Sequence, residues 1–183
     1  MSALIRDLLP FQSTQVITSF QADVEVLADG SLALCYLISV ATNSLAQLRI
    51  KDVQRRGRVD GLWQHTCFEA FIRAEGESAY REFNFAPSGA WQAYVFADYR
   101  QGVCLEPASD PCVETMSSAQ QFILRAVIQA ADLPPGPRLQ LGLTAVVEGT
   151  NGGLTYWALK HAADKPDFHH PDSFVLEINT TCE

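Results

Sequence analysis

Two-residue alternation, broken at short intervals by turn residues, is the feature that most limits what this chain can fold into. VITSFQADVEVLA, the turn Asp29-Gly30 and SLALCYLISVA read as a long β-hairpin. LWQHTCFEAFIRA reads as one strand, and AYREFNFA with AWQAYVFADY as a second hairpin. QQFILRAVIQA and RLQLGLTAVVEG read as a further pair joined through Leu133-Pro134-Pro135-Gly136-Pro137, and LTYWAL and SFVLEI close the chain. About ten strands at such spacing predict an all-β fold, an antiparallel β-sandwich. Helical periodicity is scarce. A short helix is expected near Ala3 to Leu9 or around Asn43 to Leu48. The 183 residues contain no repeat or linker that would divide them, so residues 1–183 are expected to form a single domain.

The hairpin EFNFAPSGAWQAY can be read to its register. Pro87-Ser88-Gly89 suits a three-residue loop with glycine in the left-handed position, which pairs Ala86 with Ala90. Phe85 then faces Trp91, Phe83 faces Ala93, Asn84 faces Gln92 and Glu82 faces Tyr94. A slip of one residue would mix polar and apolar faces. The hairpin therefore has a greasy face of Phe83, Phe85, Trp91, Ala93 and Val95, and a polar face of Glu82, Asn84, Gln92 and Tyr94. A carboxylate, two amides and a phenol on a rigid sheet suit a ligand with several hydroxyls. The same alternation also describes a strand pair facing water.

In GLWQHTCFEAFI, alternation puts Trp63, His65, Cys67, Glu69 and Phe71 on one face. It puts Leu62, Thr66, Phe68, Ala70 and Ile72 on the other. Both faces carry apolar residues, which predicts a central strand. Glu69 is then a half-buried carboxyl in need of a partner, an arginine or His65.

Three of the four histidines, His161, His169 and His170, lie in KHAADKPDFHHPDSF with Asp164, Asp167 and Asp172. Pro166 and Pro171 forbid a continuous helix there. In extended backbone His169 and His170 point to opposite sides, while Asp167 shares a side with His169 and Asp172 with His170. His161, Asp167, His169, His170 and Asp172 are the candidate metal ligands, although structural zinc spacing is missing. The alternatives are a hydrogen-bonded edge of the sandwich and part of a ligand pocket.

Charge and cysteine usage exclude several classes. The net charge of −8 and pI near 4.9 argue against a nucleic-acid partner or an anionic membrane surface. RIKDVQRRGR, Arg49 to Arg58, is a local exception, holding five of the thirteen basic residues. It reads as a solvated loop or as an anion contact. The N-terminus lacks a signal-peptide pattern, and no apolar run approaches a membrane helix, so a cytoplasmic location is expected. Five cysteines without a CxxC pair fit neither a zinc ribbon nor a complete disulfide framework, and Cys35 and Cys67 read as buried thiols. GxSxG, GxGxxG and Walker-type loops are all missing.

LWQHTCFEAFI, then YREFNFAPSGAWQAYVFADYR, then YWALKHAADKPDFHHPDSF, resemble the DOMON-like group related to family 9 carbohydrate-binding modules. The resemblance spans roughly Gln15 to Ile178, and its most specific part is the middle hairpin. It implies one of two ligands. Family 9 modules bind sugar ends between two tryptophans, often with structural calcium. Here Trp63, Trp91 and Trp157 are available. Cytochrome-type DOMON domains hold haem b through Met and His. Here Met116 and His161 or His170 are available, or Lys160.

The expectation is a non-catalytic module that binds a small polar ligand, foremost a saccharide. The ligand-binding candidates are Trp63, His65, Glu69, Glu82, Asn84, Gln92, Tyr94, Trp157, Asp167, His169 and His170. The alternatives are a haem-binding electron-transfer domain, a metal-assisted hydrolase or lyase using His65, Glu69 and the late histidines, and an interaction module without ligand. Self-association into a homo-oligomer stays open.

Overall fold

The computed structural model describes residues 5–50 and 57–180. Fourteen strands among them form two sheets. In chain order they are β1 (Arg6–Asp7), β2 (Leu9–Pro10), β3 (Ile17–Val26), β4 (Leu32–Val40), β5 (Gly57–Arg58), β6 (Cys67–Ala74), β7 (Tyr80–Phe85), β8 (Ala90–Asp98), β9 (Gln101–Cys104), β10 (Cys112–Ser117), β11 (Gln121–Ile128), β12 (Arg138–Glu148), β13 (Leu154–Ala158) and β14 (Leu176–Asn179). The smaller sheet has the order β1-β3-β4-β11-β10. The larger runs β2-β13-β12-β6-β7-β8-β5, with β14 also on β12 and β9 also on β8. Pairing is antiparallel except for the two-residue parallel contact of β5 with β8.

The sheets pack face to face, as two one-sided apolar surfaces must to leave water. Phe20, Leu34, Tyr36, Ile38 and Leu124 of the smaller sheet meet Phe68, Ile72, Phe83, Phe85, Trp91, Leu141 and Leu143 of the larger. Phe68 links the layers, with ring contacts to Phe20, Tyr36 and Phe122. The buried Tyr36 hydroxyl donates to the Glu69 carbonyl at 2.8 Å, which satisfies the one polar atom that this aromatic carries into the core.

The expected sandwich is present, and so is the register of the middle hairpin. Phe85 pairs with Trp91, Asn84 with Gln92 and Glu82 with Tyr94. The Ala86 amide donates to the Ala90 carbonyl at 2.8 Å, and Gly89 takes a φ of 82°. β6 is central, between β12 and β7. Three readings are corrected. β11 and β12 do not pair: the proline-rich connection carries the chain from one sheet to the other. The helix expected at Ala3 to Leu9 gives way, over its described part, to β1 and β2, while a single 3₁₀ turn forms at Leu45–Gln47. β9 and β10 were not anticipated, because both are edge strands with mostly exposed side chains and no apolar alternation. Residues 51–56 of the basic segment and Cys182 lie outside the described residues.

The larger sheet has a second apolar cluster on its outer face. Phe71, Tyr80, Tyr94, Phe96, Val146 and Ala158 meet Phe168 and Phe174 from the loop before β14. That loop lies close because β12 has no side chain at Gly142: a Cβ there would stand 3.1 Å from the Ser173 carbonyl oxygen. A 3₁₀ turn at Pro171–Ser173 holds the loop's end, with His170 Nδ1 accepting from the Asp172 amide at 3.2 Å.

Candidate functional site

Between the outer face and this loop lies a cavity of about 420 Å³. Its size is in the usual range for small-molecule sites. β6 contributes Glu69 and Phe71, β7 Glu82, β8 Tyr94 and Phe96, β12 Val146 and β13 Tyr156. The loop contributes Pro166, Phe168 and His169, and Trp63 and Arg100 close the rim. All these strand residues are same-face neighbours, so the two-residue period of five strands builds the cavity.

The floor is two carboxyls. Glu69 is 2% exposed: Oε2 accepts from the Thr144 hydroxyl at 3.4 Å, and Oε1 has no partner. Glu82 accepts from the Asn84 amide through Oε1 at 2.7 Å, and its Oε2 lies 3.9 Å from His169 Nε2. The Asn84 carbonyl oxygen is also buried and without a partner. Burial, and then the charge of Glu82, push Glu69 well above the usual carboxylate range. Burial pushes Glu82 up to about 7, against the hydrogen bond from Asn84 and the charge of Arg100.

His169 stands over this floor. Tyr80 accepts the Arg100 amide at 3.1 Å, and its hydroxyl lies 2.8 Å from His169 Nδ1. The Tyr80 hydroxyl both accepts and donates when the phenol donates to Nδ1, which leaves the imidazole proton on Nε2, facing the cavity. Burial, and then the charge of Arg100, lower His169 to about 4, so the ring is neutral. Arg100, at a positive φ of 55°, is spent on the loop: Nη2 donates to Asp167 Oδ1 at 3.0 Å and Nε to the Tyr99 hydroxyl at 3.2 Å. Burial works against the Asp167 charge, but the hydrogen bonds from Tyr99 and Arg100 win and hold it below its ordinary value.

The structure sorts the expected site residues. Trp63, Glu69, Glu82, Tyr94 and His169 line the cavity. The polar face of the hairpin does not face water: the late loop brings His169 over Glu82, and Arg58, Asp60 and Trp63 from the segment before β6 cover Gln92 and Tyr94. Asn84 lies behind Glu82, fully buried. Gln92 is taken by Arg58, whose Nε donates to it at 2.8 Å, and the Tyr94 hydroxyl donates to Asp60. Trp157 is corrected: it is core, packed on Phe20, with its indole N–H on Thr155 at 3.0 Å. Trp91 is core too, so a clamp of two tryptophans does not form, and Trp63 alone of the three is exposed, at 43%.

His65 and Glu69 do not meet. A 3₁₀ turn at Leu62–Gln64 ends at His65, so strand alternation starts only at Cys67. His65 turns outward to Glu148, with Nδ1 2.8 Å from Oε2. The metal candidates diverge in the same way. His161 bonds the Leu9 carbonyl at 2.8 Å, Asp167 holds Arg100, His169 holds Tyr80, and His170 caps its turn. Among the described residues no three His, Cys, Asp or Glu side chains converge as for a metal. The Met–His pair expected for haem does not form, since Met116 lies on β10 in the sheet opposite the one on which the histidine-bearing loop packs.

Phe71, Phe96, Arg100, Tyr156 and Phe168 were not among the expected site residues. The signal for the strand residues was present. On a covered face, alternation from Glu69 and Tyr94 leads to Phe71 and Phe96.

No family model matches the chain, and no curated protein matches it. Solved structures do. A Bacteroides uniformis protein described as a "putative carbohydrate-binding protein" superposes with a TM-score of 0.69 at 14% identity, over 97% of this chain and 86% of that one. A family 9 carbohydrate-binding module from Caldicellulosiruptor kristjanssonii, solved with cellotriose, gives 0.55 at 12% identity, over 97% and 82%. The same organism's family 9 module with glucose gives 0.54 at 12%, over 92% and 78%. The fold of this chain is therefore the β-sandwich of family 9 carbohydrate-binding modules. The relation is one of fold.

Proposed function

We propose that this chain is a non-catalytic saccharide-binding module and that the outer-face cavity is its binding site. The observation that carries the reading is a cavity with a floor of carboxyls and walls of rings, on a sandwich shared with modules that hold cellotriose and glucose. Sugars need that combination. Their hydroxyls take directed hydrogen bonds, and their C–H faces pack on rings. Glu69, Glu82 and His169 Nε2–H supply acceptors and a donor. Trp63, Tyr156 and Phe168 supply flat walls.

Because Trp63 is the exposed tryptophan, its fluorescence reports occupancy. A titration with a panel of monosaccharides should give a saturable, one-to-one change for at least one sugar. Trp63→Ala should weaken that sugar about five- to tenfold, the value of a ring contact. A panel without any saturable change would refute the reading.

A further inference from the structure

The cavity floor is unbalanced in a way that a neutral sugar does not correct. Glu69 Oε1 is a buried acceptor without a partner, and Glu82 Oε2 has only His169 Nε2 at 3.9 Å. The nearby donors are committed. Tyr94 donates to Asp60 and Arg100 to Asp167 and Tyr99. Arg73, on the same face, donates to Gln140 and lies over the Phe174 ring. Unpaired buried acceptors cost free energy until a donor reaches them. Phe71, Phe96, Tyr156, Phe168 and Trp63 surround this acidic floor, and ring faces attract cations. An ammonium group has three donors, no acceptor and a positive charge, which is what the floor lacks.

Resting on the saccharide reading, we propose that the cavity selects a sugar carrying a protonated amine, its ammonium against Glu69 and Glu82, over the neutral sugar. Burial raises both carboxyls and puts Glu82 at about 7, partly protonated near neutral pH. An arriving cation favours their charged forms, so binding releases protons to solvent. The other ionisable groups facing the pair are His169, Arg100, Tyr80, Tyr94 and the buried Cys67. Of these His169, at about 4, has already lost its proton at the working pH.

The test is calorimetric titration of the full chain with glucosamine, glucose, N-acetylglucosamine and cyclohexylamine near pH 6.5, in two buffers of different ionisation heat. The expected result is glucosamine at least about tenfold tighter than the other three, with proton release on binding of glucosamine and none with the two neutral sugars. Glu69→Gln, or Glu82→Gln if the first fails to fold, should bring glucosamine and glucose to within about twofold. Equal affinity for glucose and glucosamine in the unmodified chain would overturn the proposal and leave the saccharide reading standing. Cyclohexylamine binding as tightly as glucosamine would overturn it in favour of a plain amine site. Silence from all four overturns the proposal. The monosaccharide panel then decides the saccharide reading separately.

Discussion

Replacing Glu82 by Gln removes one of two ionisable groups from the cavity floor while keeping its length and an oxygen for the Asn84 amide. In the folded chain Glu82 sits at about 7, against an ordinary 4.5. Between those values the folded chain holds a proton that the unfolded chain gives up, so this group makes stability fall as pH rises. At about 1.4 kcal/mol for each tenfold, the full effect is about 3 kcal/mol. His169 acts with the opposite sign. It is lowered to about 4 from 6.5, so in that window the unfolded chain takes up the extra proton and stability rises with pH. The wild-type profile mixes the two, but comparing variant with wild type at one pH cancels His169. Denaturant unfolding of both chains at about pH 4.5 and about pH 8.5 isolates the Glu82 contribution. The stability difference should move by about 3 kcal/mol in favour of the variant at the higher pH. Glu69, relieved of a charged neighbour, adds to the change in the same direction. A difference that moves by less than about 0.5 kcal/mol would mean that Glu82 is solvated and that the loop does not cover the floor.

Other expectations follow from the same geometry. Gly142→Val should lift the Pro171–Ser173 turn from β12, costing about 1–3 kcal/mol in denaturant unfolding. An unchanged midpoint would show that the loop does not rest there. A Cβ on Gly102 would overlap the Phe96 ring, which stacks on Tyr80 at 4.5 Å, so Gly102→Ala should weaken ligand binding by pushing that ring toward the cavity. Calorimetry with any ligand found for the wild type checks it. His169 should stay neutral down to about pH 4 in an NMR titration, and a midpoint near 6.5 would contradict its burial.

Alternation and turn chemistry carried the fold far, since both are local. The loop Pro87-Ser88-Gly89 fixed the register of β7 and β8, and the apolar residues on both faces of β6 marked it as central. The site was legible only in part, because what decides it is non-local. Whether Glu82 faces water depends on the loop that carries His169 over it, which is seated where Gly142 lacks a side chain. Trp157 alternates correctly for either face, and only the packing of β13 on Phe20 settles which one. His65 falls outside the strand because a 3₁₀ turn delays the start of β6 by five residues, from Leu62 to Cys67.

The claim that a sugar occupies the outer-face cavity is tested most directly by the three indole N–H signals in NMR. Trp63 lines the cavity, while Trp91 and Trp157 lie in the core between the sheets. On titration with the sugar that binds best, the account predicts a saturable shift of the Trp63 signal, with the other two nearly still. Saturable binding that moves Trp91 or Trp157 and leaves Trp63 unchanged would place the ligand elsewhere and contradict the account.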